Sequence, residues 1–150
     1  MSAGHVYQLY IRAEIEEVWR ALTDPEATRQ YFHATHWVSP PVVGEAFRTH
    51  LPDGSVAVDG VVEVVDPPHA LVHTWHPVYD DDLAAEPPSR VAWELTRAGE
   101  GLTHLRLTHS ALEDSPLTSE NVRDGWVWIL DSLKSLLETG SPLPPATLMP

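Results

Sequence analysis

Cysteine is absent from this chain of 150 residues, which excludes disulfide bonds, thiolate metal sites and a cysteine nucleophile. The chain also lacks any apolar run that approaches the roughly 20 residues a membrane-spanning helix requires. Its N-terminal sequence, MSAGHVYQLY, has no basic stretch followed by an apolar block, so no export signal is predicted. Together these absences predict a cytoplasmic protein that does not associate with membranes.

Positive charge is scarce as well. The 22 Asp and Glu residues outnumber the 9 Lys and Arg residues, which gives a formal net charge of −13. Nucleic acid binding depends on neutralising phosphates with Lys and Arg, and the surface of an anionic membrane would repel the same acidic chain. The charge therefore excludes nucleic acid as a partner and favours uncharged or cationic molecules.

Motifs that carry catalysis or bind metals are missing too. The sequence contains no G-x-S-x-G nucleophile turn and no glycine-rich phosphate loop. Among the nine histidines, His69, His73 and His76 are closely spaced, but His73 and His76 would point to opposite faces of a strand. His33 and His36 have no evident third ligand. The sequence thus predicts neither a metal site nor a cofactor.

Hydrophobic periodicity predicts an early strand and helix, then a run of strands, then one long helix. In the early helix, Ile15, Val18, Trp19 and Leu22 recur at helical spacing, and Asp24 with Pro25 starts a second short helix. The predicted strands cover residues 5–11, 35–38, 46–51, 56–65, 70–76, 90–96 and 102–109. The predicted helices cover residues 13–22 and 119–138, with Thr118 or Ser119 as the cap of the long one and Gly140 at its end.

Short turns between the predicted strands indicate an antiparallel meander, because Pro52-Asp53-Gly54 and the segment 98–101 supply turn glycines. The acidic segment 80–88 is predicted to be a solvated loop. A sheet with a single long amphipathic helix must bury that helix against one face. The prediction is an α+β helix-grip fold. A curved antiparallel sheet of six or seven strands wraps around the C-terminal helix, and two short helices follow the first strand. Residues 1–140 form the domain and 141–150 a loosely ordered tail.

This order of segments resembles the activator of heat-shock protein 90 ATPase homologue family, within the START-like (SRPBCC) superfamily. The resemblance covers roughly residues 5–140 and rests on order and spacing rather than on one motif. The segments that carry it are 18–25 (VWRALTDP), Gly44 with Phe47, 60–64 (GVVEV) before Pro67-Pro68, 71–75 (LVHTW), 105–109 (LRLTH), and the closing stretch with Gly125-Trp126, Ile129-Leu130 and 132–138 (SLKSLLE). Glu45 and His73 depart from the usual family pattern.

The resemblance implies a fold and a pocket for hydrophobic molecules, not a reaction. The co-chaperone that gives the family its name has a separate N-terminal chaperone-binding domain, for which this chain has no room, so its activity is not transferred. Strand alternation places an aromatic set on the inner face, near the long helix. The predicted ligand-binding residues are Trp37, Phe47, His73, Trp75, Trp93, Leu107, His109, Trp126 and Leu130.

Three functions remain open on the sequence. The first is a non-catalytic binder of a small hydrophobic molecule, acting as a sensor, carrier or sequestering protein. The second is a cyclase, dehydratase or hydrolase that uses His73 or His109 as general acid or base. The third is a co-chaperone-like interaction domain. Trp128 lies on the polar side of the long helix and is expected to pack under a loop, with a homodimer contact as the alternative.

Overall fold

The computed structural model describes residues 4–32 and 41–144, together with the backbone of His36–Trp37. In these ranges the strands are β1 (His5–Ile11), β2 (His36–Trp37), β3 (Ala46–His50), β4 (Val56–Asp66), β5 (Ala70–Pro77), β6 (Ser89–Gly99) and β7 (Leu102–Ser110). The helices are α1 (Ile15–Thr23), α2 (Pro25–Tyr31), α3 (Asp81–Ala84) and α4 (Pro116–Thr139).

All seven strands form one antiparallel sheet in the order β1-β7-β6-β5-β4-β3-β2. Strands β2 to β7 pair in sequential order, with α3 in the connection between β5 and β6. Strand β1 forms the far edge by pairing with β7, where His5 lies opposite His109. The sheet is curved, and α4 packs on its inner face. The predicted helix-grip fold is therefore confirmed.

Side-chain alternation assigns the two faces of the sheet as the sequence predicts. On β5, Leu71, His73 and Trp75 are buried while the residues between them are partly exposed. The same alternation buries Val91, Trp93 and Leu95 on β6 and a matching set on β7. On α4 the buried stripe comprises Val122, Trp126, Ile129, Leu130 and Leu133, which completes the core.

The long helix starts earlier than predicted, at Pro116 rather than at Ser119, so the proposed caps Thr118 and Ser119 lie inside it. Proline at this first position is favourable because its missing N–H would have no helical partner. Two free N–H groups of the first turn, those of Leu117 and Thr118, donate instead to the carboxylate of Glu86 at 2.9 and 2.8 Å. A cap from a distant loop cannot be recognised in local sequence.

The acidic segment 80–88 is more structured than the predicted solvated loop. The carboxylate of Asp80 accepts hydrogen bonds from the backbone N–H groups of Asp82 and Leu83 and so caps the short helix α3. Leu83 is buried, and Glu86 holds the start of α4. The segment is therefore attached to the body of the domain through the side chains of Leu83 and Glu86.

The segment after α4 runs back along this helix as far as it is described. The backbone N–H of Leu143 donates to the hydroxyl of Ser132, and Trp128 Nε1 donates to the carbonyl of Pro144 at 3.1 Å. Trp128 thus packs under this segment. Residues 145–150 of the predicted tail lie outside the described residues. In the described ranges, no helix combines the length and the apolar character needed to cross a membrane.

Candidate functional site

A cavity of about 750 Å³ lies between the first half of α4 and the β3–β5 part of the sheet. Helix α3 and the preceding turn form its third wall, and Phe32, after the end of α2, closes one side. The residues that line it are Phe32, Thr49, Leu51, Ala57, Val58, Trp75, Pro77, Tyr79, Asp80, Asp82, Leu83, Leu117, Glu120, Asn121, Val122, Gly125, Trp126 and Ile129.

Three aromatic rings form the deep end of this cavity. Trp75 and Trp126 lie with ring centroids 5.2 Å apart, and Phe32 meets Trp126 edge-on at 5.7 Å. All three side chains are buried. Their edge-to-face and tilted contacts are the arrangements that aromatic quadrupoles favour, so the rings support one another as a rigid apolar surface.

The mouth is acidic. Its exposed lining residues include the carboxylates of Asp80, Asp82 and Glu120, and none of the described lining residues is Lys, Arg or His. Tyr79 spans the rim by donating from its hydroxyl to Asn121 Oδ1 at 3.0 Å. Partial burial raises the pKa of the Tyr79 hydroxyl, and nearby Asp80 adds to the effect, so this group stays a neutral donor.

Of the eight predicted ligand-binding residues whose side chains the structure describes, Trp75 and Trp126 line the cavity. The side chain of Trp37 lies outside the described residues. The other predicted residues are packed in the core and do not line the cavity. A residue on the inner face of a curved sheet can either border a cavity or be covered by other side chains, and strand alternation does not distinguish the two. They are Phe47, His73, Trp93, Leu107, His109 and Leu130.

The two predicted histidines form buried pairs with tryptophan indoles. Trp93 Nε1 donates to His73 Nε2 at 3.1 Å, so His73 Nδ1 carries the proton and donates to the carbonyl of Thr74 at 3.0 Å. The face of His73 stacks on Phe47 with ring centroids 3.7 Å apart. This tautomer follows from the partners, because an indole N–H can only donate and a carbonyl can only accept.

His109 is arranged in the opposite tautomer. Trp126 Nε1 donates to His109 Nδ1 at 2.9 Å, so the proton is on Nε2, which donates to the Ser89 hydroxyl at 2.7 Å. That hydroxyl in turn donates to the carbonyl of Trp75 at 3.2 Å. The chain of donors therefore ends on the backbone of a residue that lines the cavity.

Burial keeps both rings neutral. Desolvation lowers the pKa of His73 to about 4, although the hydrogen bond to Thr74 and the charge of Glu63 act in the opposite direction. The pKa of His109 falls to about 3, again chiefly by desolvation, with further lowering from His73 and His5. A charged imidazole in this apolar core would lose its hydration without gaining a counter-ion.

Several lining residues were missed by the sequence reasoning. Thr49 shares the alternating face of β3 with Phe47, and Val122 and Ile129 share the helical stripe with Trp126, so periodicity could have included these three. The rim residues of the segment 79–83 carry no such signal. Their position depends on how α3 folds back against α4.

Metal ligands are not grouped in the described ranges, where no set of three or more His, Asp or Glu side chains is placed to bind one ion. The pair His33 and His36 lies outside the residues whose side chains are described.

Comparison with known proteins extends over most of the chain. The sequence profile of the family described as Activator of Hsp90 ATPase homolog 1-like protein matches residues 12–138. No curated protein matches the chain by sequence. Among solved structures, protein MLL2253 from Mesorhizobium loti is 28% identical with a TM-score of 0.76, covering 91% of this chain and 97% of the other.

Two further structures have the same architecture. CalU16 from Micromonospora echinospora is 25% identical with a TM-score of 0.72, covering 93% of this chain and 78% of the other. The Aha1 dimer from Colwellia psychrerythraea is 20% identical with a TM-score of 0.73, covering 92% and 98%. At 20% identity, the similarity to the Aha1 dimer shows a common fold alone.

Proposed function

The chain belongs to the Activator of Hsp90 ATPase homolog 1-like family, and on this premise we propose that it binds a small hydrophobic molecule, uncharged or positively charged, in the cavity between α4 and strands β3–β5. Such binding suits a sensor, a carrier or a sequestering protein. The single observation that carries the proposal is the cavity itself, with its floor of Trp75, Trp126 and Phe32.

Size and chemistry support this function. Pockets for small molecules measure roughly 300–1,000 Å³ and are lined mainly by apolar and aromatic groups with a few polar ones. The cavity of about 750 Å³ lies within that range. Its deep end is aromatic, and its polar residues are concentrated at the mouth. A ligand would therefore gain affinity by burying apolar surface inside.

The negative charge at the mouth supports the proposal that the ligand is uncharged or positively charged. Asp80, Asp82 and Glu120 carry negative charge in a chain whose formal charge is −13. An anionic ligand such as a fatty-acid carboxylate would meet repulsion on entry, whereas an amine would be attracted. The attraction is moderate because these carboxylates are exposed to solvent.

The enzymatic alternative gains no support from the positions of the histidines. His73 and His109 do not line the cavity, and both nitrogen atoms of each ring already have hydrogen-bond partners. A general acid or base must reach the reacting group within hydrogen-bond distance. Binding needs only the cavity, whereas catalysis would also need a histidine that reaches into it, so binding is the function we favour.

Two valines on β4 offer a matched test. Val58 lines the cavity and is buried, whereas Val64 on the same strand is exposed. We expect Val58→Phe to lower the affinity of the neutral dye N-phenyl-1-naphthylamine about tenfold or more, because the new ring occupies the cavity. Val64→Phe should leave the affinity unchanged. Equal affinities in the wild type and both variants, or no binding of the dye to the wild type, would contradict the proposal.

A second pair of dyes tests the charge preference. Anilinonaphthalene sulfonate has nearly the frame of N-phenyl-1-naphthylamine with one negative charge added, so the wild type should bind it more weakly. Neutralising the mouth by Asp80→Asn, Asp82→Asn and Glu120→Gln should reduce that difference and leave the affinity for the neutral dye unchanged. The effect should also shrink in high salt, since it acts through exposed charges.

A further inference from the structure

Two buried polar atoms have no hydrogen-bond partner within the described ranges, and both belong to residues of the cavity wall. They are the hydroxyl oxygen of Thr49 and the indole nitrogen of Trp75. Thr49 is fully buried and Trp75 is 6% exposed. Unpaired polar atoms are rare in protein interiors because burial removes their hydrogen bonds to water.

The neighbouring indoles show how unusual Trp75 is. Trp126 packs against Trp75, and Trp93 packs against Trp126. Each of these two neighbours donates its indole N–H to a histidine. Trp128, farther along α4, donates to a carbonyl. Of the two indoles that line the cavity within the described ranges, that of Trp126 has an acceptor in His109 and that of Trp75 has none.

Thr49 gives a second, independent indication. Valine has the same shape, and β-branched apolar residues suit a buried strand position at least as well. Thr103, also fully buried on the inner face of the sheet, illustrates the ordinary case, since its hydroxyl donates to the carbonyl of Ala13 at 2.8 Å. A hydroxyl at position 49 adds nothing to folding that valine would not provide.

From these two atoms we infer that the ligand is an oxygenated or otherwise hydrogen-bonding hydrophobic molecule, whose polar group accepts from Trp75 Nε1 or pairs with Thr49 Oγ1 inside the cavity. This inference rests on the proposed function and specifies its ligand class. It separates a ketone, quinone, ether or alcohol on an apolar frame from a pure hydrocarbon. A site built to pair with a polar group discriminates against analogues that lack that group, because its own polar atoms would then stay buried and unpaired.

The test uses fluorene and 9-fluorenone, which share one ring frame and differ by a carbonyl oxygen. We expect fluorenone to bind the wild type about tenfold more tightly, which corresponds to about 1.4 kcal/mol. The double variant Thr49→Val/Trp75→Phe should bind the two compounds equally. Each single variant should show how much of the preference for fluorenone depends on that one residue. Thr103→Val, the matched control, should keep the preference of the wild type.

Two direct readouts accompany the affinities. The indole resonance of Trp75, assigned by its absence in Trp75→Phe, should move on addition of fluorenone and much less on addition of fluorene. Without any ligand, Thr49→Val should keep or raise the melting temperature, whereas Thr103→Val should lower it because the carbonyl of Ala13 loses its donor.

The outcomes separate the inference from the function on which it rests. Equal binding of both compounds to the wild type, or a preference that survives in the double variant, overturns the inference and leaves hydrophobic binding intact. A lower melting temperature for Thr49→Val also overturns it as far as Thr49 is concerned, because the hydroxyl would then have a partner such as bound water. Failure of both compounds and of the neutral dye to bind contradicts the proposed function, and the inference with it.

Discussion

Acid should destabilise this protein well above the pH at which its carboxylates titrate, because two neutral histidines are buried in its core. His73 has its pKa lowered to about 4 and His109 to about 3, against an ordinary value of 6.5. Below pH 6.5 the unfolded chain therefore binds protons that the folded chain excludes. The free energy of unfolding should fall as the pH falls, and this loss should continue until the pH reaches the folded pKa values.

The size of the loss follows from the two pKa shifts. A pH of 5 is about 1.5 units below the pKa of a histidine in the unfolded chain, and each pH unit corresponds to about 1.4 kcal/mol of free energy. Each ring thus contributes a loss of about 2 kcal/mol relative to pH 8, and the two together about 4 kcal/mol. That is a large part of the roughly 5–15 kcal/mol by which a domain is stable. Glu63, whose pKa its hydrogen bond with Arg90 lowers from 4.5, loses its stabilising effect only at lower pH.

Urea unfolding followed by tryptophan fluorescence at pH 8, 7, 6 and 5 measures this loss. Between pH 6 and 5 the slope of the free energy of unfolding against pH should approach the value for two protons taken up on unfolding. His109→Asn retains an acceptor for Trp126 but cannot be protonated, so its slope should approach one proton. A free energy of unfolding that stays constant from pH 8 to 5 in the wild type would refute the reasoning. If the variant does not fold, histidine ring resonances of the wild type that do not titrate above pH 5 provide the same information.

Further predictions concern the backbone and the helix cap. A Cβ atom at Gly60 would collide with the carbonyl oxygen of Thr74, so Gly60→Ala should destabilise the protein by about 1–3 kcal/mol in urea unfolding. Gly99→Ala, whose nearest contact would be 3.9 Å away, should change stability far less; equal effects would contradict this reasoning. Glu86→Ala should cost about 1 kcal/mol, because the first turn of α4 loses the carboxylate that accepts from Thr118, and an unchanged melting temperature would argue against that cap.

Much of the fold could be predicted because its signals are local. Alternation along β5 and β7 placed Trp75 and His109 on the inner face, and helical spacing placed Trp126 on the buried stripe of α4. Gly140 ends this helix with a φ of 87°, as its position after the last apolar turn indicates. The domain boundary at residue 140, the cytoplasmic location and the homodimer contact stay predictions.

Sequence by itself determined the order of the strands and of the long helix and the inner faces of β5, β6 and β7, because periodicity and turn chemistry act over a few neighbouring residues. The family followed from the resemblance of the ordered segments to a known family. Tertiary structure alone decided which aromatic residues line a space and which fill the core. His73 and Trp93 are 20 residues apart, yet the hydrogen bond between them lies in the packed core. Trp126, whose indole donates to His109 17 residues away, also lines the cavity. Trp75, on the same inner face, borders the cavity with its N–H unpaired. That difference arises from the depth at which α4 and the segment 79–83 meet the sheet, a distance that no local pattern encodes.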